Sequence, residues 1–206
     1  MEYPKEFDDI RPFFDSEVHD KMKDLIKEPG FEHAVRYVLR DINYEQLCQE
    51  LLTIDKKKDF QLFIMKVFLE GLTKKTTKGV TGENFGVLDK SKSYTFMSNH
   101  RDIVLDASLL NLLLILNGFD TSEIAIGNNL LIYDWISDLV RLNKSFIVKR
   151  DVGMRQMLDA ARQLSGYIHF IITQKHESVW IAQREGRSKD SDDRTQESLI
   201  KMLGIS

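Results

Sequence analysis

The stretch YTFMSNHRDIVLD at residues 94–106 combines a short β-like run, a polar turn and the start of an apolar helix. The spacing of the apolar residues predicts a strand at Tyr94–Met97 and a helix at Ile103–Asn117. A strand that leads through a polar turn into a helix is the repeating unit of α/β proteins, in which helices cover a sheet. The stretch therefore predicts an α/β fold with a mixed sheet flanked by helices.

The same alternation continues to the end of the chain. Further strands are predicted at Glu123–Ile126, Ser145–Val148 and Ser178–Ala182. Further helices are predicted at Leu130–Leu142, Met154–Gln174 and Thr195–Leu203. Because this alternation of strands and helices begins at Gly79, residues 79–206 are expected to form the α/β core.

Residues 1–78 have a different pattern, in which apolar positions recur every three or four residues. Helices are predicted at 16–27, 31–40, 44–53 and 58–74. Strand-like alternation is nearly absent, so we expect a helical N-terminal region.

The last of these helices has an apolar stripe surrounded by lysines. The stripe consists of Phe60, Phe63, Ile64, Val67, Phe68 and Leu72. Such a helix either packs its stripe on the rest of the protein, with the lysines facing water, or lies on an anionic membrane surface. Packing on the protein is the favoured interpretation.

Composition excludes several classes of function. The 206-residue chain has a formal net charge of −3, which argues against a general nucleic-acid-binding protein. The single cysteine, Cys48, excludes an intramolecular disulfide and a thiolate-rich zinc site, and it fits a reducing cytoplasm. The longest uncharged apolar run, Ala107–Phe119, is shorter than the roughly 20 residues that cross a bilayer. No metal ion is expected.

Three polar clusters follow three of the predicted strands. They are Ser98–Asp106, Lys149–Asp151 and Arg184–Asp190. Ligand sites in α/β proteins lie at the carboxyl ends of strands, so we expect the clusters to share one edge of the sheet. His100 is suited to accept a proton from an alcohol if a nearby carboxylate orients its ring. The basic groups suit a phosphate or carboxylate on a substrate.

These clusters contain three short motifs. They are Asn99-His100-Arg101 with a downstream aspartate, Ser145-Phe146-Ile147-Val148-Lys149-Arg150, and Glu185-Gly186-Arg187-Ser188. In this order they resemble the first three sequence blocks of the glycerolipid acyltransferases, the family of glycerol-3-phosphate and 1-acylglycerol-3-phosphate acyltransferases. The resemblance covers roughly residues 79 to 190.

The resemblance implies transfer of a fatty acyl group from acyl-CoA or acyl carrier protein to a hydroxyl of an anionic lipid acceptor. His100 would be the general base and Asp106 would orient it. The substrate-binding residues that the resemblance implies are Lys149, Arg150, Glu185, Gly186 and Arg187. No cofactor beyond the acyl donor is implied.

Three neighbours of His100 are candidates for supporting roles. Asn99 or backbone N–H groups of the turn at His100 would help to stabilise the oxyanion of the thioester, and Arg101 would either contact phosphates of the donor or form a surface ion pair. Asp102 is the alternative partner of His100. The resemblance also implies phospholipid biosynthesis in the cytoplasm, with a peripheral contact on the inner face of the membrane.

The motifs depart from the family pattern at two positions. Five residues separate His100 from Asp106 where the family has four, and the third block lacks a threonine between Gly186 and Arg187. The register of the substrate-binding arginine in the third block is therefore open by one position around Arg187, as it also is between Lys149 and Arg150 in the second block.

A fourth family block, an apolar strand with a proline, is absent because the last proline is Pro29. The resemblance thus implies a core that is cut short at its carboxyl end. The altered spacing leaves two alternatives to acyl transfer: a non-catalytic domain of the same fold that binds a lipid or an anionic ligand, and a hydrolase that uses the His–Asp pair on water.

Overall fold

The computed structural model of the chain describes residues 3–40, 42–150, 152–190 and 194–205. Asp151, the last residue of the second polar cluster, lies outside these ranges. Within them the protein is an α/β fold with helices at its N-terminus, which confirms the predicted class.

The strands are β1 (Thr95–Ser98), β2 (Glu123–Gly127), β3 (Ser145–Val148) and β4 (Val179–Ala182). Their order in the sheet is β1-β4-β2-β3. The sequence predicts a mixed sheet, whereas every pairing between these strands is parallel. The reason is that each connection between successive strands contains a helix, and a helical crossover returns the chain in the same direction.

Four helical segments form the N-terminal region. They are α1 (Asp15–Leu25), α2 (Pro29–Val38), α3 (Tyr44–Leu51) and a long helix made of α4 (Lys57–Asp59), a π-helical stretch (Phe60–Met65) and α5 (Lys66–Thr76). Pro29 occupies the first turn of α2, where its missing N–H costs nothing. The predicted helices are therefore present, with ends shifted by a few residues.

The helices of the core are α6 (Leu105–Leu116), α7 (Asp134–Leu142), α8 (Met154–Phe170) and α9 (Glu197–Leu203). A π-helical turn, Ile171–Lys175, extends α8. Short 3-10 turns lie at Lys5–Phe7, Phe85–Val87 and Asn128–Leu130. Because the last of these turns includes Leu130, where the sequence predicts the start of α7, that helix begins only at Asp134.

Each face of the sheet packs on its own set of apolar side chains. On one face, Val179 and Ile181 of β4 contact a core that includes Tyr167 and Ile171. On the other face, Trp180 packs with Ile124 of β2 and with Ala107 of α6. This is the alternation expected of a strand that is covered on both sides. Full burial of one such large side chain contributes roughly 1.5–3 kcal/mol.

The N-terminal residues are joined to the α/β core. Phe7 and Ile10 lie in the hydrophobic core under α8, and the Ile10 carbonyl accepts a hydrogen bond of 2.9 Å from the Ile147 N–H of β3. Leu142 of α7 is fully buried in the same hydrophobic core as Met22 of α1, Leu51 of α3 and Phe60 of the π-helical stretch. Hydrophobic contacts thus cross the predicted division at residue 79.

A buried charge network closes the amino end of the sheet. Glu123 is fully buried, and its carboxylate accepts hydrogen bonds from Tyr167 Oη at 2.6 Å and from Lys175 Nζ at 3.1 Å. Lys175 also bonds Glu177 at 2.9 Å, and Glu177 pairs with Lys144. We call Glu123, Lys144, Tyr167, Lys175 and Glu177 the amino-end network. The network satisfies the charge of the Glu123 carboxylate, which lies at the amino end of an inner strand of the sheet.

The amino-end network also shifts the pKa of its members. Burial by itself would raise the pKa of Glu177, but the charges of Lys144 and Lys175 outweigh it and lower the pKa to about 2. Burial likewise acts against the charge of Lys175, yet Glu123 and Glu177 raise its pKa above the usual value.

Candidate functional site at the carboxyl end of the sheet

Because all described strands are parallel, their carboxyl ends lie at one edge of the sheet. The turns that follow β1 and β4 carry His100 and Arg187, and those that follow β2 and β3 carry Asn128 and Arg150. The three predicted polar clusters therefore meet at the edge where α/β proteins bind ligands.

His100 is held by the carboxylate of Asp106. The distance between His100 Nδ1 and Asp106 Oδ2 is 2.9 Å, and both side chains are largely buried. The same oxygen accepts the backbone N–H groups of Arg101 at 2.7 Å and Asp102 at 3.0 Å. A carboxylate only accepts hydrogen bonds, so Nδ1 carries the proton. The second ring nitrogen, Nε2, is then the one with an available lone pair.

Asp102 has a different task. Its Oδ1 accepts hydrogen bonds of 2.8 Å from the backbone N–H groups of Val104 and Leu105, at the start of α6. These backbone bonds lower the pKa of Asp102, and the positive charge of Arg187 lowers it further. Asp102 therefore stabilises the amino end of α6, and Asp106 is the residue bonded to the imidazole.

The five residues between His100 and Asp106 fit because α6 begins at Leu105 rather than at the predicted Ile103. Residues 101–104 form a turn, and Asp106 lies in the first helical turn. The N–H groups of Arg101 and Asp102 close this turn onto the Asp106 carboxylate. The extra residue is thus accommodated ahead of the helix.

His100 is held in place by Trp180 of the neighbouring strand β4 and by Ser188 of the turn after that strand. The rings of His100 and Trp180 meet edge to face, with centroids 5.8 Å apart, and Trp180 Nε1 donates to Ser98 Oγ at 2.9 Å. The Ser188 N–H donates to the His100 carbonyl at 2.6 Å. Sequence reasoning missed both contacts. The alternation of β4 would have placed Trp180 on the face opposite Val179 and Ile181, but it does not name His100 as its neighbour.

Arg150 is directed towards the turn after β4. Its backbone N–H donates to Asn128 Oδ1 at 2.9 Å, and its Nη1 lies 3.9 Å from Glu185 Oε1. The side chain passes directly over Gly127, where an added Cβ would come within 2.6 Å of Arg150 Nε. Gly127 is the last residue of β2 and Asn128 follows it, so the strand-end rule that found the other clusters could have found them.

Lys149 has a separate partner. It forms an ion pair with Asp9 in the N-terminal segment. Burial acts to raise the pKa of Asp9, but the hydrogen bond and the charge of Lys149 outweigh it and lower the pKa. Of the two basic residues between which the sequence left the register open, Arg150 is therefore the one beside the β4 turn.

The turn after β4 is built around Gly186. Gly186 has a φ of +71°, a left-handed conformation that favours glycine. Arg184 braces the turn through Ser188 Oγ at 2.8 Å and Asp190 Oδ1 at 3.0 Å. The Glu185 N–H donates to Gln196 Oε1 at 3.0 Å.

Arg187 is a cation of this turn that is open to a ligand. It is exposed and has no side-chain hydrogen bond or ion pair in the ranges that the structure describes. Its effect on the pKa of Asp102 places its charge near the His100 turn. Asn99 lies half-buried beside His100, whereas Arg101 is exposed.

Chemically, the edge combines an oriented imidazole with two arginines. His100 can accept a proton at Nε2, and Arg150 and Arg187 can attract an anion. Among the described residues, no three His, Cys, Asp or Glu side chains come together as a metal site requires. In the same residues, no helix combines the length and apolar character needed to cross a membrane.

Comparison with known proteins gave no family for this chain. No protein-family model matches it, and a search of curated proteins found no match either.

Proposed function

We propose that the protein is an O-acyltransferase that moves a fatty acyl group from acyl-CoA or acyl carrier protein to a hydroxyl of a glycerophosphate or a related anionic lipid acceptor. The observation that carries the proposal is the 2.9 Å bond between His100 Nδ1 and Asp106 at the carboxyl end of a parallel sheet. A base with a fixed tautomer, set beside cations, is what transfer to an anionic alcohol requires.

In the proposed reaction His100 Nε2 takes the hydroxyl proton as the acceptor oxygen attacks the thioester carbonyl. Asp106 stabilises the imidazolium that forms. The tetrahedral intermediate then collapses, its carbon–sulfur bond breaks, and the thiolate takes the proton from His100. The products are the acyl ester and the free thiol of the donor, and no acyl-enzyme is formed.

The acceptor's anionic head group would lie between Arg150 and Arg187. Arg150 is anchored through Asn128, and the guanidinium group of Arg187 has no hydrogen-bond or ion-pair partner in the described part of the chain, which supports their assignment to phosphate binding. Glu185 lies next to Arg150 and would orient its guanidinium group. Gly186 would shape the pocket by allowing the tight turn. Lys149 would act indirectly, because it is paired with Asp9.

The oxyanion of the tetrahedral intermediate needs hydrogen-bond donors. Asn99, next to the base, is the proposed donor in this turn, and Arg101 would contact phosphates of the donor. The proposed setting is phospholipid biosynthesis in the cytoplasm, with the protein held peripherally on the inner face of the membrane. Fold and motifs support this setting only through the resemblance to glycerolipid acyltransferases.

The test measures the thiol released from acyl-CoA and from acyl carrier protein in the presence of glycerol-3-phosphate, lysophosphatidate or glycerol. We expect acyl product with a phosphorylated acceptor, and a loss of about 10²–10⁴-fold in His100→Ala. His33→Ala, which changes an exposed histidine on α2, is the matched control and should retain full activity.

The other arms separate the alternatives. Arg150→Ala and Arg187→Ala should raise KM for phosphorylated acceptors more than for glycerol. Thiol release that produces free fatty acid with every acceptor would identify a hydrolase. Acceptor binding without thiol release would identify a binding domain. Undiminished transfer by His100→Ala would overturn the proposed base.

A further inference from the structure

An apolar groove runs along the outer face of the long helix in the N-terminal region. It has a volume of about 500 Å³ between the α4–α5 helix and the segment that joins α2 to α3. Most of the side chains on both sides are aliphatic or aromatic, among them Val38, Ile42, Phe63 and Val67, and three charged side chains also line the groove: Arg40, Glu50 and Lys75. Although apolar, Phe63 is 65% exposed, Val67 62% and Val38 55%.

The apolar stripe of this helix is therefore divided between two environments. Phe60 of the stripe is 2% exposed and packs the helix against the rest of the protein, as does Leu69 beside the stripe at 4%. Phe63 and Val67 lie about one turn apart on the outer side and remain in water. Packing within the protein accounts for only part of the stripe, and the groove is the part that it leaves uncovered.

Lysines outnumber carboxylates along the helix that forms one wall of the groove, although one of them, Lys66, pairs with Glu70. Residues 56–78 contain seven lysines and only two carboxylates, whereas the whole chain has a net charge of −3. Some of these lysines are neutralised, since Lys57 pairs with Asp15 and Lys58 with Asp120. Lys74 and Lys75, in the last turn of α5, have no ion-pair partner in the described part of the chain, and Lys75 lines the groove itself.

We infer that this face, made of the groove with Phe63, Val67, Lys74 and Lys75, docks on an anionic lipid bilayer. Apolar side chains that protrude from a helix, with cations beside them, match an interface where acyl chains lie just below negative head groups. An acidic partner helix would instead be expected to bury its anchors in a deep cleft, whereas Phe63 protrudes into water.

The inference extends the proposed function, because it names the surface for the membrane contact. It rests on the groove and its charges, not on catalysis. Vesicle binding needs no turnover, so a failure of docking and a failure of acyl transfer are separate results.

The experiment is sedimentation of the full chain with vesicles of phosphatidylcholine containing about 30% phosphatidylglycerol, and with vesicles of phosphatidylcholine alone. We expect binding to the anionic vesicles, weakened about tenfold without the anionic lipid or in high salt. The double variants Phe63→Ser with Val67→Ser, and Lys74→Glu with Lys75→Glu, should each bind about tenfold more weakly.

Two matched variants control for general changes in surface character. Val87→Ser with Ile200→Ser removes two exposed apolar side chains elsewhere, and Lys90→Glu with Lys92→Glu makes the same charge reversal in the loop before β1. Both should bind as the unaltered chain does. In Phe63→Trp, the added tryptophan emission should shift to shorter wavelength when anionic vesicles are present, which reports insertion at this position.

Several outcomes would overturn the inference. They are no binding to anionic vesicles, equal binding by the Phe63→Ser/Val67→Ser variant, and an emission spectrum of Phe63→Trp that vesicles leave unchanged. Binding of an acidic amphipathic peptide in the absence of vesicle binding would assign the groove to a protein partner instead.

Discussion

The two ends of the parallel sheet use charged side chains in opposite ways. At the amino end, Glu123 is fully buried and its carboxylate bonds Tyr167 and Lys175, so its charge is satisfied inside the protein. At the carboxyl end, His100 bonds Asp106 through Nδ1, one of its two ring nitrogens, and Arg187 is exposed. Charges that satisfy one another stabilise the fold, whereas charges with spare bonding capacity are available to a ligand.

Asp106→Asn should have the largest effect, and it should act on activity alone. An amide would still turn its oxygen towards the N–H groups of Arg101, Asp102 and His100, but it would lack the negative charge that stabilises the imidazolium, so acyl transfer should fall by about 10²–10⁴-fold while the fold is retained. Thiol release measures the rate, and nitrogen NMR shifts of the imidazole report the tautomer. Transfer within about twofold of the unaltered chain, with the Nδ1–H form retained, would contradict the role given to Asp106.

Glu123→Ala should destabilise the amino end of the sheet and should not affect the acyl-transfer reaction directly. It leaves Lys175 and Tyr167 buried without their shared acceptor, so the free energy of unfolding should fall by about 3–5 kcal/mol. Tyr167→Phe, which removes one hydrogen bond to Glu123, should cost about 1 kcal/mol. Urea titration measures both.

The matched control for Glu123 is Glu83→Ala, which changes an exposed carboxylate and should stay within about 0.5 kcal/mol of the unaltered chain. If Glu123→Ala were as stable as Glu83→Ala, the amino-end network would have no structural role.

The pH dependence of stability sharpens the comparison further. The pKa of Glu177 is lowered from its usual 4.5 to about 2, so its ion pairs stabilise the fold fully above pH 4.5 and lose that effect as pH falls towards 2. At pH 7, Glu177→Gln should be less stable by about 1–3 kcal/mol, and the difference should shrink in this window. Urea midpoints at several pH values measure it, and a constant difference across the window would contradict it.

Asp102→Ala should have the smallest effect. It removes the acceptor for the N–H groups of Val104 and Leu105, which should cost about 1 kcal/mol of stability. The bond between His100 and Asp106 does not involve this side chain, so transfer should stay within about threefold of the unaltered rate. A loss as large as that of Asp106→Asn would reverse the roles of the two aspartates.

Much of this fold could be predicted from local patterns. Each predicted strand of the core is present, because short apolar runs between polar turns have few other places in an α/β protein. The placement of His100, Arg150 and Arg187 at one edge follows from the same reasoning, since polar residues after parallel strands meet there. The expectation of a mixed sheet was wrong. The helix predicted between each pair of successive strands already favours parallel pairing, whereas the order of the strands could not be read from the sequence.

The contacts that long-range packing decides could not be predicted. Nothing near Lys149 in the sequence indicates Asp9 as its partner, and nothing near Glu123 indicates Lys175. The division of the α4–α5 stripe into buried Phe60 and exposed Phe63 also depends on which neighbours the helix meets. Periodicity shows that a face is apolar, but only the fold shows what covers it.

The position of β4 between β1 and β2 has a consequence for how the protein is made. Among the described strands β1 pairs only with β4, and Thr95 lies 84 positions before its partner Val179. During synthesis the strand that leads to His100 is therefore long finished before its neighbour exists, and closing so large a loop costs entropy and time. We therefore expect the turn that bears His100 to be among the last parts of the sheet to become ordered. Any activity that depends on His100 would then require a fully folded chain.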